Sequence, residues 1–315
     1  MSSAPAATEP AADPAGTTLA VPPAARAERL RRRLREGGLA YLFLLPSLVV
    51  FAVFFYYPLY RLVWFATHQQ SRFRNRPATY VGTEQLTETL SGNDFFDGLV
   101  HSGLFMVYTV PLGIVLGVLL AVAAHRRLRG IKIFQTIFSS TVASSVAVAS
   151  VVFTTLVNPE MGYFRDVSWL SLRSGDSALF AVSLSSVWQN LGLTFIVVLA
   201  ALQTVPDELT EAATIDGYGP VRRFFRITVP LISPALLFLA IVLVVHALQA
   251  YAQIEILTGG GPGGATETLL FKIADPRGVR SLGERASLSL GLFVLTAVVA
   301  GFQYSMLSKR VHYGD

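Results

Sequence analysis

Long apolar stretches recur along this chain with polar segments between them, and that recurrence limits the fold more than any other feature. The stretches at about 39–60, 98–124, 134–157, 178–202, 231–253 and 286–308 each have roughly the twenty residues an α-helix needs to cross a bilayer core. Hydrocarbon offers no water to backbone N–H and C=O groups, so a spanning segment is either a helix or part of a closed barrel. Continuous rather than alternating apolar runs select the helix. The expected fold is therefore all-α, a polytopic membrane protein with six transmembrane helices. Composition agrees: 52% of residues are hydrophobic, 14% are charged and mean hydropathy is +0.53, which is too apolar for an ordinary soluble domain.

Charge sets the expected orientation. Residues 1–25 are rich in Ala and Pro, without the charged-then-apolar order of a signal peptide, and six arginines follow at 26–35. Residues 1–37 thus read as a disordered, basic tail that the positive-inside rule keeps in the cytoplasm, and 38–315 as the six-span domain. Six spans bring the C-terminus back to the same side. Arg126, Arg127, Arg129 and Lys132, then Arg222, Arg223 and Arg226, then Lys309 and Arg310, mark the other inside segments. Tyr41, Tyr56, Tyr57 and Tyr60 suit aromatic belts at the ends of the first span. In the second, Pro111 is followed by Gly113 and Gly117, a spacing that lets helices approach closely. The net charge of +5 gathers at span ends, so the partner is the lipid bilayer and nucleic acid is not implied. With no cysteine there is no disulfide and no thiolate site.

One polar island, within 203–230, is where function shows. Pro206 and Asp207 suit a helix start and Gly217 a stop, which predicts a helix of about ten residues, too short to span, with Leu209, Ala212 and Ala213 as an apolar ridge. Glu211-Ala212-Ala213, then Asp216-Gly217, then Pro230 and Pro234, resemble the cytoplasmic coupling loop of binding-protein-dependent ABC importer permeases. Three further stretches are similar to that family: YVGTEQLTETLSGNDFF at 80–96, Asn158-Pro159 with Gly162, and LTGGGPGGATETL at 257–269. The resemblance covers about 38–313. It implies that Glu211, Ala212, Ala213, Asp216 and Gly217 form a coupling helix seated in an ATPase. It also implies two ATPase subunits, a homologous second permease, an extracytoplasmic substrate-binding protein, and a place in the bacterial inner membrane. Gly259 and Gly264 have the spacing of a phosphate-binding loop, but Ala265 stands where the phosphate-contacting lysine is needed. The chain is expected to hold no nucleotide, cofactor or metal, and the glycines to form a flexible turn outside the membrane.

Polar residues inside spans are costly, so they mark candidate pathways. Trp188, Gln189 and Asn190, with Ser186, interrupt the fourth span, while His246, Gln249 and Gln253 fall at i, i+3, i+7 of the fifth, with Glu255 just beyond. These segments resemble those lining the family's translocation path; hydrogen bonding between helices accounts for the same residues equally well. Ala247 and Ala250 stand where a maltose-type permease has polar side chains. The stretch at 219–234, Glu255 and TETLLFKI at 266–273 look most like permeases for sn-glycerol-3-phosphate and glycerophosphodiesters such as glycerophosphocholine. A di- or oligosaccharide importer is the alternative. A secondary transporter is more remote, since no ionisable residue sits mid-span and no broken-helix pair repeats across two halves. An enzyme lacks a nucleophile–base set.

Overall fold

The computed structural model describes residues 42–70, 78–125, 129–275, 277–278 and 280–307. The N-terminal tail, Tyr41, Arg126, Arg127, Lys309 and Arg310 lie outside them. The chain divides into two units, Met1–Tyr60 and Arg61–Asp315. The described part of the first is the opening of helix α1 (Leu42–Thr67), longer than the expected first span. Its side chains are apolar and exposed on every side, Phe43 at 81% and Phe54 at 77%; such a surface needs lipid or another subunit against it. Its π turn at Ala52–Tyr56 comes just before Pro58, whose ring and missing N–H disturb the regular ladder.

Among the described residues of the second unit the regular elements are helices, apart from a ribbon pairing His68–Gln69 with Thr79–Tyr80. Its helices are α2 (Glu84–Ser91), α3 (Asn93–Ala124), α4 (Ile131–Ser139), α5 (Val146–Val157), α6 (Gly175–Gln203), α7 (Asp207–Ile215), α8 (Pro220–Leu231), α9 (Ser233–Leu248), α10 (Ala252–Leu257), α11 (Leu269–Ala274) and α12 (Leu282–Leu307). The closest packing is of α3 on α6. Along α3 the buried positions Gly98, Ser102, Phe105, Thr109, Gly113, Gly117, Ala121 and Ala124 recur every three or four residues, a stripe of mostly small side chains. A Cβ on Gly117 would lie 2.5 Å from Thr194 Oγ1, so the expected close approach occurs, with α6 as the partner.

Among the described residues four helices, α1, α3, α6 and α12, are long and apolar enough to cross a membrane unaided. The expected third and fifth spans are each a bent pair instead, Ile131–Ala143 with α5 at 107° and α8 with α9 at 72°, so the count is four, or up to six if each pair crosses once. Both bends have local causes. Ser145 is extended (ψ 155°) and its side chain accepts the Val148 N–H, which starts a new helix. At the second, Pro234 cannot donate to the Pro230 carbonyl, and Ser233 Oγ donates to it instead at 2.6 Å. The fifth span then ends early: Leu248 is the last residue of α9, and Gln249 to Tyr251 break the helix before α10. His246, Gln249 and Gln253 therefore do not share one continuous helix face.

The glycine turn at 259–264 is packed rather than flexible. Gly259, Gly260, Gly263 and Gly264 have positive φ, Thr266 and Thr268 are fully buried, and a Cβ on Gly260 would meet the Phe271 ring at 2.7 Å.

The α3–α6 contact makes a direct prediction. Gly117→Val should drive the two helices apart and lower stability by about 1–3 kcal/mol. Gly103→Ala on the same helix, where nothing lies within 4 Å, should be neutral or slightly stabilising. Thermal unfolding of the detergent-purified protein compares them; equal midpoints would refute the close contact.

Candidate functional site

A cavity of about 200 Å³ opens where the middle of α3, the middle of α6 and the C-terminal end of α9 meet. Its polar wall is built from Thr109 on α3, Ser186, Gln189 and Asn190 on α6, His246 and Gln249 at the end of α9, and Gln253 on α10; Phe105 and Leu243 are among its apolar lining. Five of the residues singled out by sequence, Gln189, Asn190, His246, Gln249 and Gln253, thus come together around one space although they sit on three helices. Trp188 does not join them: its ring packs 6.0 Å from that of Phe153 on α5. Thr109 is added, and the pattern of polar interruptions does not reveal it, because one threonine in an apolar helix normally satisfies its hydroxyl on its own backbone. It does so here, donating to Phe105 O at 2.8 Å.

Hydrogen bonds tie the wall together. Asn190 Nδ2 donates to the Ser186 carbonyl at 2.8 Å, Gln253 Nε2 donates to Ser186 Oγ at 2.9 Å, and His246 Nδ1 lies 2.9 Å from Asn190 Oδ1. Gln253 and Ser186 are buried, whereas His246 and Gln249 are exposed. Among the described residues no lysine, arginine or carboxylate lines the cavity, and His246 is its one ionisable group.

The polar island forms the short helix α7. Pro206 caps it in an extended conformation and Asp207 and Glu208 occupy its first turn, toward the positive end of the helix dipole. Its end is a Schellman motif: Gly217 has φ +76°, the Tyr218 N–H donates to Ala213 O at 2.9 Å and the Gly217 N–H to Thr214 O at 3.1 Å. Glu211, Ala212, Asp216 and Gly217 are exposed, but Ala213 is buried. The expected ridge is therefore split. Leu209 and Ala212 face outward with Ile215, which is 87% exposed, and Ala213 faces the chain. Arg223 on α8 braces the helix, donating to Thr214 Oγ1 at 2.7 Å, and Arg222 stacks on Tyr218 at 4.6 Å.

A second polar cluster gathers where α3 begins. Lys272 on α11, 6% exposed, lies 3.1 Å from Asp94 and 3.8 Å from Glu267, and Arg280 holds the other Asp94 oxygen at 2.8 Å. In the neighbouring loop Arg277 pairs with Glu255 and with Asp275, each at 2.9 Å. Burial pushes the Asp275 carboxyl up, but hydrogen bonds from Arg277 outweigh it and hold the group below the usual carboxylate range. Among the described residues no three His, Asp or Glu side chains converge as a metal site.

Comparison with known proteins places this architecture. The family described as "Binding-protein-dependent transport system inner membrane component" matches residues 86–313. The sn-glycerol-3-phosphate transport system permease protein UgpA of Agrobacterium fabrum is 32% identical over 284 residues, 88% of this chain and 97% of that protein. UgpA of Yersinia pestis is 32% identical over 283 residues, 87% and 96% of the two chains. Among solved structures, a bacterial ABC transporter involved in the import of the acidic polysaccharide alginate aligns with TM-score 0.70 and 22% identity over 89% of this chain and 99% of that one. The inward-facing MetNI methionine ABC transporter aligns at TM-score 0.51 and 14% identity over 73% and 99%. At those identities the structures speak to the fold, while the sequence match over most of the chain decides the family. The chain belongs to the inner membrane components of binding-protein-dependent transport systems.

Proposed function

We propose that this chain is one of two homologous permease subunits of an ATP-driven importer for glycerol phosphate or a glycerophosphodiester such as glycerophosphocholine. In this reading the two bent pairs each cross once, giving six spans with both ends of the 38–315 domain in the cytoplasm. Residues 1–37 are a disordered basic tail there. The α7 helix is the coupling helix, with Glu211, Ala212, Asp216 and Gly217 toward one of two ATPase subunits and Ala213 as its inward anchor. A binding protein delivers solute from outside, and Gln189, Asn190, His246, Gln249 and Gln253 line half of the path; Trp188, turned toward α5, supports α6. The chain itself performs no chemistry and holds no cofactor.

The observation that carries this reading is the amide-rich cavity halfway along α3 and α6. A hydroxylated solute needs neutral donors and acceptors, and amides supply both. On this reading the cavity of about 200 Å³ is this chain's share of a space completed by the partner permease, and Ala247 contributes only a methyl to its lining. The names of the relatives favour the same substrate class. A di- or oligosaccharide importer is the second reading, favoured by the fold shared with the alginate transporter. Uptake by proteoliposomes holding this chain, its partner permease and the ATPase, with the binding protein outside, separates the readings. Uptake should require ATP and the binding protein; an ion gradient sufficing without ATP would make the chain part of a secondary transporter.

Two variants test the parts. Gly217→Val forces a β-branched residue into the left-handed region at a cost of about 1–2 kcal/mol and should abolish uptake while the chain still reaches the membrane. Gly219→Ala, at φ −64° with open space around it, should be tolerated; normal uptake by Gly217→Val would remove the coupling role. Asn190→Ala and Gln249→Ala should each slow uptake several-fold, at about 1 kcal/mol per lost hydrogen bond, with unchanged affinity of the binding protein for its ligand. If both transport normally and the double variant unfolds at lower temperature, these side chains only join helices.

A further inference from the structure

Of the three arginines that follow the Schellman turn, only Arg223 braces α7. Arg222 and Arg226 are exposed. Among the described residues Arg226 has no hydrogen-bond, ion-pair or ring partner, and Arg222 has only the Tyr218 ring. Directly before each stands a large apolar side chain that is also open, Val221 at 68% and Phe225 at 65%. Two i, i+4 pairs, one apolar and one basic, therefore run side by side along α8. The helix packs mainly on its chain neighbours α7 and α9, so the rest of the bundle leaves that side open.

Direction and charge indicate what covers it. The angle between α8 and α9 is 72°. A spanning helix is tilted by roughly 20°, so with α9 crossing, α8 lies far nearer the membrane plane than the normal. In that plane a helix with arginines beside large apolar groups sinks the apolar groups below the headgroups, while the guanidiniums reach back to the phosphates. Exposed apolar side chains continue past it, at Leu231 and at Phe238 on α9. The adjoining helix has the opposite charge: α7 carries Asp207, Glu208, Glu211 and Asp216 and no basic residue, while α8 carries three arginines and no acidic one. A protein surface basic enough to suit α7 would repel the arginines of α8, whereas an anionic leaflet attracts α8 and repels α7.

We propose that α8 docks on the cytoplasmic leaflet, with Val221 and Phe225 among the upper acyl chains and Arg222 and Arg226 on the phosphates of anionic phospholipids. This rests on the reading that α7 and α8 are cytoplasmic and that α9 crosses the membrane. Docked in this way, α8 fixes the height of α7 and turns its carboxylates away from the bilayer.

An indole placed on α8 tests this. Phe225→Trp is introduced into the complete complex of this chain, the partner permease and the ATPase, in bilayers of phosphatidylcholine and phosphatidylglycerol. The same small fraction of lipid carries bromine near the top of the acyl chain, on phosphatidylglycerol in one sample and on phosphatidylcholine in the other. Subtracting the parent complex removes the signal of Trp64, Trp169, Trp188 and the other subunits. The remaining fluorescence should be quenched by both lipids, and more by phosphatidylglycerol, with a preference of roughly fivefold for each arginine at the leaflet. Arg226→Gln should lower that preference several-fold, Arg222→Gln combined with it should abolish the preference, and Arg226→Lys should keep it. Fluorescence that neither lipid quenches overturns the proposal, because a protein then covers the face. Equal quenching by the two lipids, or a preference that survives the double glutamine change, overturns the headgroup contact. Val221→Trp is the second reporter if Phe225→Trp does not assemble. Failure of the underlying reading looks different: Ile215→Cys, in a chain without cysteine, would then be labelled by an impermeant maleimide from outside the cell.

Discussion

A backbone N–H or C=O left unpaired at membrane depth is costly enough that irregular chain survives there only when side chains cover it. The break after α9 shows how. Gln249, Ala250 and Tyr251 leave the helix, and the Ala250 carbonyl is taken by Thr268 Oγ1 at 2.9 Å. The Leu269 N–H at the start of α11 is taken by Ser102 Oγ of α3, also at 2.9 Å. At the end of α3, Gln135 Nε2 donates to the Ala124 carbonyl at 3.1 Å. Ser102 and Thr268 are fully buried, so neither hydroxyl is available to water. They stitch the segment from α10 to α11 onto α3, and the break is stable because of them.

The same break gives the cavity its polar wall. On one continuous helix, His246, Gln249 and Gln253 would lie in a row one turn apart. With the helix ended at Leu248, Gln253 instead reaches inward to Ser186 while Gln249 remains exposed. Gln249 also borders an apolar groove of about 620 Å³ formed with α11 and α12, lined by Leu270 and Phe293 among others. It therefore stands between a polar space and an apolar one.

Long-range apolarity was legible in the sequence, and so were the helix type and the approximate limits of α1, α3, α6 and α12. The short helix α7 was legible too, since Pro206, Asp207 and Gly217 act locally through their own backbone preferences. The bends were not, because a hydropathy window averages over them. Ser144-Ser145 before an apolar run is a capping signal, and Pro234 four residues after Pro230 is a ladder defect, but each is small against some twenty apolar neighbours. The cavity membership of Gln189, Asn190, His246, Gln249 and Gln253 was approached through the cost of polar groups in lipid. That rule finds residues needing a partner and does not say which way each faces; Trp188 and Ala213 turned elsewhere, and Thr109 and the Asp94–Lys272–Arg280 cluster needed contacts distant in sequence.

The order of elements links the two candidate sites mechanically. From α7 the chain passes through the Schellman turn at Gly217 into α8, bends at Ile232, and runs along α9 to His246 at the cavity. Arg223 ties the C-terminal half of α7 to α8, so a displacement of α7 is carried into α8 rather than lost in the loop. At the bend, Ile232 is buried in the apolar cluster with Phe195, Val198 and Leu239, and close-packed interiors transmit movement instead of absorbing it. On the proposed reading, force from an ATPase bound at α7 would turn α9 against α6. The Asn190–His246 pair joins those two helices at the cavity, so the hydrogen bond that orients the imidazole would be the first contact in the polar wall to feel that motion.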